Sequence, residues 1–521
     1  MPAGIIIVGL GPGGENQWTT AARQVLLSAP EVWVRTARHP GVEALGRVAG
    51  VEDRCSAADE VRVFSFDPWY DEATEFAGLY RRIAHRVVEL GQRPDGVVYA
   101  VPGHPMIGES TVLQIKMLAA EAGVPIQMVA GLSFIEPTLA ALGIDGLDGL
   151  QIADADQLAV RHHPPLDPDR PALVAQLYNR RQASEVKLTL MNGYPDDHLV
   201  ALVRAAGSDR EQLVQCPLFE LDRQPIIDHL TTLYLPPMRT PASLPTLQET
   251  VAHLRAPEGC PWDREQTHQS LRPYLLEETY EVLAALDAED FGAVVEEMGD
   301  LLLQIALHAQ IGVEMGEYTM ADVIAAVDRK MHRRHPHVFG GLEVDGISQV
   351  LVNWEAIKKA EHAEAEANTG DAGHADSNSK EGHRDNNRRE SVIDGVPALL
   401  PALARAQAIS SRAVRVGFEW PDIDGVWDKL EEEVQELVEA ETDEEREAEL
   451  GDVLFVLVNL ARWLQVDAES ALRTTNERFS HRFRHMERIA RQRGINLADL
   501  NIAGMDALWD EAKAEIELAH E

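Results

Sequence analysis

Two blocks of carboxylates have spacing that could do chemistry. Leu276-Glu-Glu-Thr-Tyr-Glu281 is followed by Glu296-Glu-Met-Gly-Asp300, and a related arrangement returns as Glu431-Glu-Glu-Val-Gln-Glu436 with Glu449-Leu-Gly-Asp452. Apolar residues around each block recur at helical intervals, so Glu278 and Glu281 share one face of a helix, and Glu297 and Asp300 share a face of the next. If the two helices pack, their carboxylates converge. Such a group raises its own pKa unless a cation neutralises it, and oxygen ligands without sulfur or imidazole suit Mg²⁺ or Mn²⁺. The plainer reading of one ExxE is a solvated acidic helix face. Two features favour a metal site. The acids interrupt apolar helices, as in Met298-Gly-Asp-Leu-Leu-Leu303 and Leu450-Gly-Asp-Val-Leu-Phe455, where an unpaired carboxylate is costly to bury. The whole pattern also occurs twice.

With these blocks go Gly259-Cys-Pro-Trp-Asp263, Arg333-Arg-His-Pro-His-Val-Phe339 and Gly417-Phe-Glu-Trp420. Together they resemble the MazG nucleoside triphosphate pyrophosphohydrolases, in two copies from about Leu247 to the end of the chain. The resemblance implies all-helical domains that use Mg²⁺ to cut a nucleoside triphosphate between its α and β phosphates. It aligns Glu278 with Glu433, Glu281 with Glu436, Glu297 with Glu449 and Asp300 with Asp452, as two sets of metal ligands. Glu281 and Glu436 could instead accept the proton of the attacking water. Lys330 with Arg334, Arg478 with Arg482, and Lys429 are the implied triphosphate ligands. Trp354 and Trp509 either cover a base or anchor a core.

The first third reads differently. Ile5-Ile-Ile-Val8 runs into Gly9-Leu-Gly-Pro-Gly-Gly14 before a helix near Thr19 or Thr20. A dinucleotide is a poor fit, because the next strand, around Val32-Trp-Val34, ends at Arg35 with no acid for a ribose. Gly96 to Val101 leads into Pro102-Gly-His-Pro-Met-Ile-Gly108, and Ile126-Gln-Met-Val129 into Ala130-Gly-Leu-Ser-Phe134. Repeated strand, glycine turn and helix units indicate an α/β domain with ligand loops at strand C-terminal ends. These loops resemble the tetrapyrrole (corrin and porphyrin) methylases, a two-lobed α/β family that holds S-adenosylmethionine between its lobes. By that resemblance Gly9, Gly11, Gly13, Pro102, Gly103, His104, Gly131, Ser133 and Met191 fall on cofactor loops, and Leu233-Tyr-Leu-Pro-Pro237 carries the final strand. The chain departs from many relatives at Gly13-Gly14-Glu15, where they have Gly-Asp-Pro, and at His104, where an Asp is common.

The expected architecture is therefore a two-lobed α/β domain over 1–237, a proline-rich linker over 238–246, a helical domain over 247–365, a flexible linker over 366–390 and a second helical domain over 391–521. A length of 521 residues suits several domains. The net charge of −39 opposes duplex nucleic acid as a partner but not a nucleotide arriving with metal ions. Cys55, Cys216 and Cys260 are scattered and odd in number, which suggests buried free thiols. The N-terminus lacks a basic segment, and no apolar run spans a bilayer, so the expectation is a soluble cytoplasmic protein without a membrane partner. Duplication makes a homo-oligomer through the helical domains an expected assembly. The rival function is S-adenosylmethionine-dependent methyl transfer, with the helices serving assembly.

Overall fold

A computed structural model describes residues 4–46, 48–50, 63–73, 75–347, 391–398 and 400–520, with 349–350, 353–354, 356–357 and 361. The 366–390 linker and Cys55 lie outside the described residues. The chain forms two compact units, residues 1–266 and 267–521.

The first unit has the expected two lobes. In the first lobe, strands β1 (Ile5–Gly9), β2 (Val32–Val34), β3 (Val48–Gly50), β4 (Val63–Ser65), β5 (Val97–Val101) and β6 (Ile126–Val129) form a parallel sheet in the order β3-β4-β2-β5-β1-β6. Parallel strands covered on both faces need apolar residues at every position. All five residues of β5 are buried. Tyr99 and Ile7 enter a core with Phe66, Ile83 and Ile115. Val98, Ala100 and Val8 enter the opposite core with Leu10 and Leu26, which is the two-residue alternation of a pleated strand.

The helices of this lobe include α1 (Thr20–Ser28), α2 (Asp67–Glu72), α3 (Phe76–Gly91), α4 (Ser110–Ala122) and α5 (Ile135–Leu142). Thr19 caps α1, its side chain accepting from the Ala22 amide. In the second lobe β7 (Gln151–Asp154), α6 (Ala155–Ala159), β8 (Ala172–Ala175), α7 (Arg180–Leu190), β9 (Leu199–Arg204), β10 (Gln212–Pro217) and β11 (Thr231–Leu235) build a mixed sheet in the order β10-β9-β11-β8-β7. Leu233, predicted on the last strand, does lie on the last strand among the described residues, at the centre of this sheet. Two helices, α8 (Leu244–Arg255) and α9 (Pro261–Glu265), complete the unit.

The second unit is helical among its described residues. α10 (Arg272–Asp287) and α11 (Phe291–Met315) form one hairpin, followed by α12 (Met320–Arg334) and α13 (Pro336–Phe339). The second copy follows α14 (Ala402–Val414) with the hairpin α15 (Ile423–Glu439) and α16 (Asp443–Trp463), then α17 (Ala468–Gln492) and α18 (Ile502–His520). Both hairpin turns are short because their caps are strong. Asp290 accepts from the amides of Gly292 and Ala293, and Thr442 closes a capping box with Glu445. These turns fix the registers of α11 and α16, and with them the acids those helices carry. Among the described residues no helix is long and apolar enough to cross a membrane.

Candidate metal centres

Both acidic hairpins gather their carboxylates. Glu278 and Glu281 on α10 meet Glu297 on α11 with one oxygen from each within 4.8 Å of the others, and Glu433, Glu436 and Glu449 on α15 and α16 do the same. Glu281 and Glu436 are the exposed members of the triplets, and Glu433 is buried. Asp300 and Asp452, expected as fourth ligands, are not in the triplets, but their charges are felt there. Burial raises the Glu278 carboxyl above its ordinary range, followed by Asp300, Glu281 and Glu277. Glu297 is raised by burial, then by Glu281, Glu296 and Asp300. Glu449 is raised by burial, then by Glu436, Glu433 and Asp452, with Lys429 opposing. Three carboxylates gathered this closely repel one another. A hard divalent cation would relieve that repulsion, and an all-oxygen donor set of this kind fits one.

The predicted cations are held in different ways. The Lys429 ammonium lies 2.8 Å from Glu433 and 3.0 Å from Glu432. Arg334 donates from Nη2 to Glu361 at 2.7 Å and lies 5.5 Å from the centre of the Trp354 ring, while Lys330 is partly buried one turn earlier on α12. Arg482 stands 4.0 Å from Glu517, and the exposed Arg478 donates to the Thr475 hydroxyl at 3.3 Å. Trp509, open to two roles, is partly buried. It lies against Phe479 at 5.1 Å and beside the core of Met486, Ile489 and Leu508.

In the first unit the glycine turns bring three strand ends together. A Cβ on Gly9 would stand 2.5 Å from the Gly103 carbonyl and 2.6 Å from the Gly131 nitrogen, and one on Gly131 would stand 2.5 Å from Gly103. Gly11 and Gly103, both at positive φ, exchange backbone hydrogen bonds of 3.2 and 2.8 Å. Gly13 has no such requirement, for its Cβ would meet only the side chain of Gln17. His39 braces this turn, its Nε2–H donating to the Gly11 carbonyl at 2.9 Å; burial holds its pKa down to about 4. His104 accepts from the Met106 amide at 3.1 Å, and Ser133 bonds Glu136 at the start of α5. Pro102 leads out of β5 into the same turn.

A cavity of about 570 Å³ lies between the lobes, lined among others by Gly108, Glu109, Phe134, Asp154 and Gln176. None of the nine residues predicted on cofactor loops is among its lining. The glycines close the strand ends on one another, and their chain neighbours form the wall. Met191 sits at the C-terminal end of α7. In the second lobe Asp154, Leu158, Ala175 and Gln176 are among the residues that reach the cavity. Gln176 adopts φ 62° and donates from Nε2 to the Gly108 carbonyl at 3.2 Å, tying one lobe to the other; a non-glycine residue at positive φ is uncommon and concentrates at functional sites. Glu109 is buried with the Arg35 guanidinium at 3.0 Å, and burial, against the pull of Arg35, pushes its carboxyl up to about 7. Sequence reasoning missed Glu109 and Gln176, although Arg35 was noticed as a strand end without an acid.

Comparison with known proteins agrees with both halves. The family of Tetrapyrrole (Corrin/Porphyrin) Methylases matches residues 4–222, and the MazG nucleotide pyrophosphohydrolase domain matches residues 266–339 and 425–487. The uncharacterized protein YabN of Bacillus subtilis is 40% identical over 98% of this chain and 99% of its own. The nucleoside triphosphate pyrophosphohydrolase/pyrophosphatase MazG of Thermotoga maritima is 43% identical over 50% of this chain and 91% of its own. The nucleoside triphosphate pyrophosphohydrolase of Escherichia coli K12 is 42% identical over 51% of this chain and 95% of its own. The chain thus belongs to the MazG nucleotide pyrophosphohydrolase family, in a form that carries an N-terminal tetrapyrrole methylase domain.

Proposed function

We propose that the helical unit is a divalent-cation-dependent pyrophosphohydrolase that converts nucleoside triphosphates to monophosphates and pyrophosphate, with Mg²⁺ as the working ion and Mn²⁺ able to replace it. The observation that carries this reading is the convergence of three carboxylates from two helices within 4.8 Å, made twice. The relatives from Thermotoga maritima and Escherichia coli, named for this activity, support it.

When bound, the ion would offset the charge of the triphosphate and acidify a water. Glu278, Glu281, Glu297 and Asp300 hold it in the first copy; Glu433, Glu436, Glu449 and Asp452 hold it in the second. Glu281 and Glu436, the exposed members, accept the proton of the attacking water. Lys330, Arg334, Lys429, Arg478 and Arg482 take phosphate oxygens, and Trp354 flanks the base. Large apolar side chains left exposed on these helices, Phe291, Val295, Val438 and Phe479 among them, support self-association of the unit. A nucleotide substrate and the free thiols of Cys216 and Cys260 suit the cytoplasm. Pyrophosphate measured from a panel of NTPs and dNTPs, with and without Mg²⁺, tests the reading; orthophosphate as the product, or release indifferent to the metal, rejects it.

The inter-lobe cavity favours a ligand for the first unit as well. Its volume, about 570 Å³, lies within the range of small-molecule sites, and the domain's family supports S-adenosylmethionine as the occupant. Equilibrium dialysis with labelled S-adenosylmethionine tests occupancy, and methyl transfer to a tetrapyrrole tests the rival activity; absence of binding rejects the cofactor reading.

A further inference from the structure

The two copies surround their acids differently, and one difference lies a helical turn before the triplet. Aligned on Glu278 with Glu433 and Glu281 with Glu436, Lys429 of the second copy falls opposite Tyr274 of the first. Lys429 reaches Glu433 at 2.8 Å, one helical turn on, and Glu432 at 3.0 Å. The first copy has an uncharged phenol at that position in place of an ammonium. The outer cations differ in parallel. Arg334 is clamped on Glu361 at 2.7 Å, with side chains 17% and 10% exposed, whereas its counterpart Arg482 stands 4.0 Å from Glu517, with side chains 24% and 62% exposed.

We propose that Lys429 is a resident counter-cation that holds the divalent-ion affinity of the second-copy site below that of the first until a polyphosphate arrives. The inference rests on the metal-site reading given above. In the first copy an incoming ion meets Glu278, Glu281 and Glu297 with Tyr274, not an ammonium, one turn before Glu278. In the second it must share Glu433 with an ammonium already in place. Helix positions four residues apart lie about 6 Å from one another, and at a water-like dielectric one unit charge at that distance changes the binding of a divalent ion about tenfold. A triphosphate supplies anionic oxygens to which Lys429 can turn, which lifts the penalty. The first copy therefore holds an ion alone, and the second loads its ion together with nucleotide.

The test titrates Mn²⁺ into the full chain without nucleotide and follows the free ion by electron paramagnetic resonance. Glu436→Gln isolates the first site and Glu281→Gln the second. The first site should bind at least about tenfold more tightly. Lys429→Met in the Glu281→Gln background should tighten the second site by a similar factor, and Tyr274→Lys in the Glu436→Gln background should weaken the first. Equal affinities unmoved by either substitution would overturn the role of Lys429 while leaving the metal sites standing. Absence of Mn²⁺ binding in both single variants would instead reject the metal-site reading. The Tyr274→Lys arm decides the matter even where Lys429→Met fails to fold, which circular dichroism reveals.

Discussion

Arg473 on α17 grips Asp287 at the end of α10, its Nε and Nη2 both donating to one carboxylate oxygen at 3.1 and 2.8 Å. The pair joins the second helical copy to the first within one unit, and its side chains are only 16% and 30% exposed. Partial burial and two donors on one acceptor place it at the upper end of surface ion pairs, about 1 kcal/mol of coupling. A double-mutant cycle of Arg473→Ala and Asp287→Ala, read on the melting of the helical unit, measures that coupling. A value indistinguishable from zero contradicts it.

The glycines of the first unit differ in what they tolerate. Gly131→Ala drives a Cβ into the backbone of Gly9 and Gly103, none of which can move without parting the strand ends, so a loss of about 2 kcal/mol is expected. Gly13→Ala meets only the amide end of Gln17, a flexible side chain, and should be nearly neutral. Chemical denaturation of the two variants compares them directly; equal losses would show that the turns have slack.

Glu109 makes the first unit sensitive to pH. Its carboxyl moves from an ordinary 4.5 up to about 7, through burial first and despite Arg35. A group whose folded pKa is raised contributes stability below its unfolded pKa and loses it as pH rises through the folded one. Relative to Glu109→Gln, the chain should therefore lose melting temperature between about pH 4.5 and 7 and stay level above. A melting temperature that rises relative to Glu109→Gln over that window has the wrong sign for this account.

How much of this was legible in the sequence depended on range. The acid pairs were legible because i, i+3 spacing fixes a helix face, and the hairpin caps Asp290 and Thr442 then fix which faces meet. The α/β character of the first unit was legible because Ile5 to Val8, Gly96 to Val101 and Ile126 to Val129 each run into a glycine turn and then a helix. The inter-lobe cavity was legible in part, since the loops from Pro102 to Gly108 and from Ala130 to Phe134 supply Gly108 and Phe134 to its wall. Glycines mark where backbones approach, and the wall is made by neighbours such as Glu109 and Gln176, whose direction depends on contacts across the lobes. Trp509 was ambiguous for a similar reason, since its ring packs on Phe479 while staying only partly buried. Asp300 and Asp452, expected as ligands from spacing and resemblance, act on the carboxyls of Glu278, Glu297 and Glu449 by their charge.

Pyrophosphate release from a nucleoside triphosphate in Mg²⁺, compared between the full chain and its Glu281→Gln, Glu436→Gln double variant, tests the twin carboxylate centres most directly. Removing the exposed member of each triplet, with circular dichroism unchanged, should lower the rate at least about 100-fold. Turnover at the parental rate by the folded double variant would show that the gathered acids are not where the phosphoanhydride is cut.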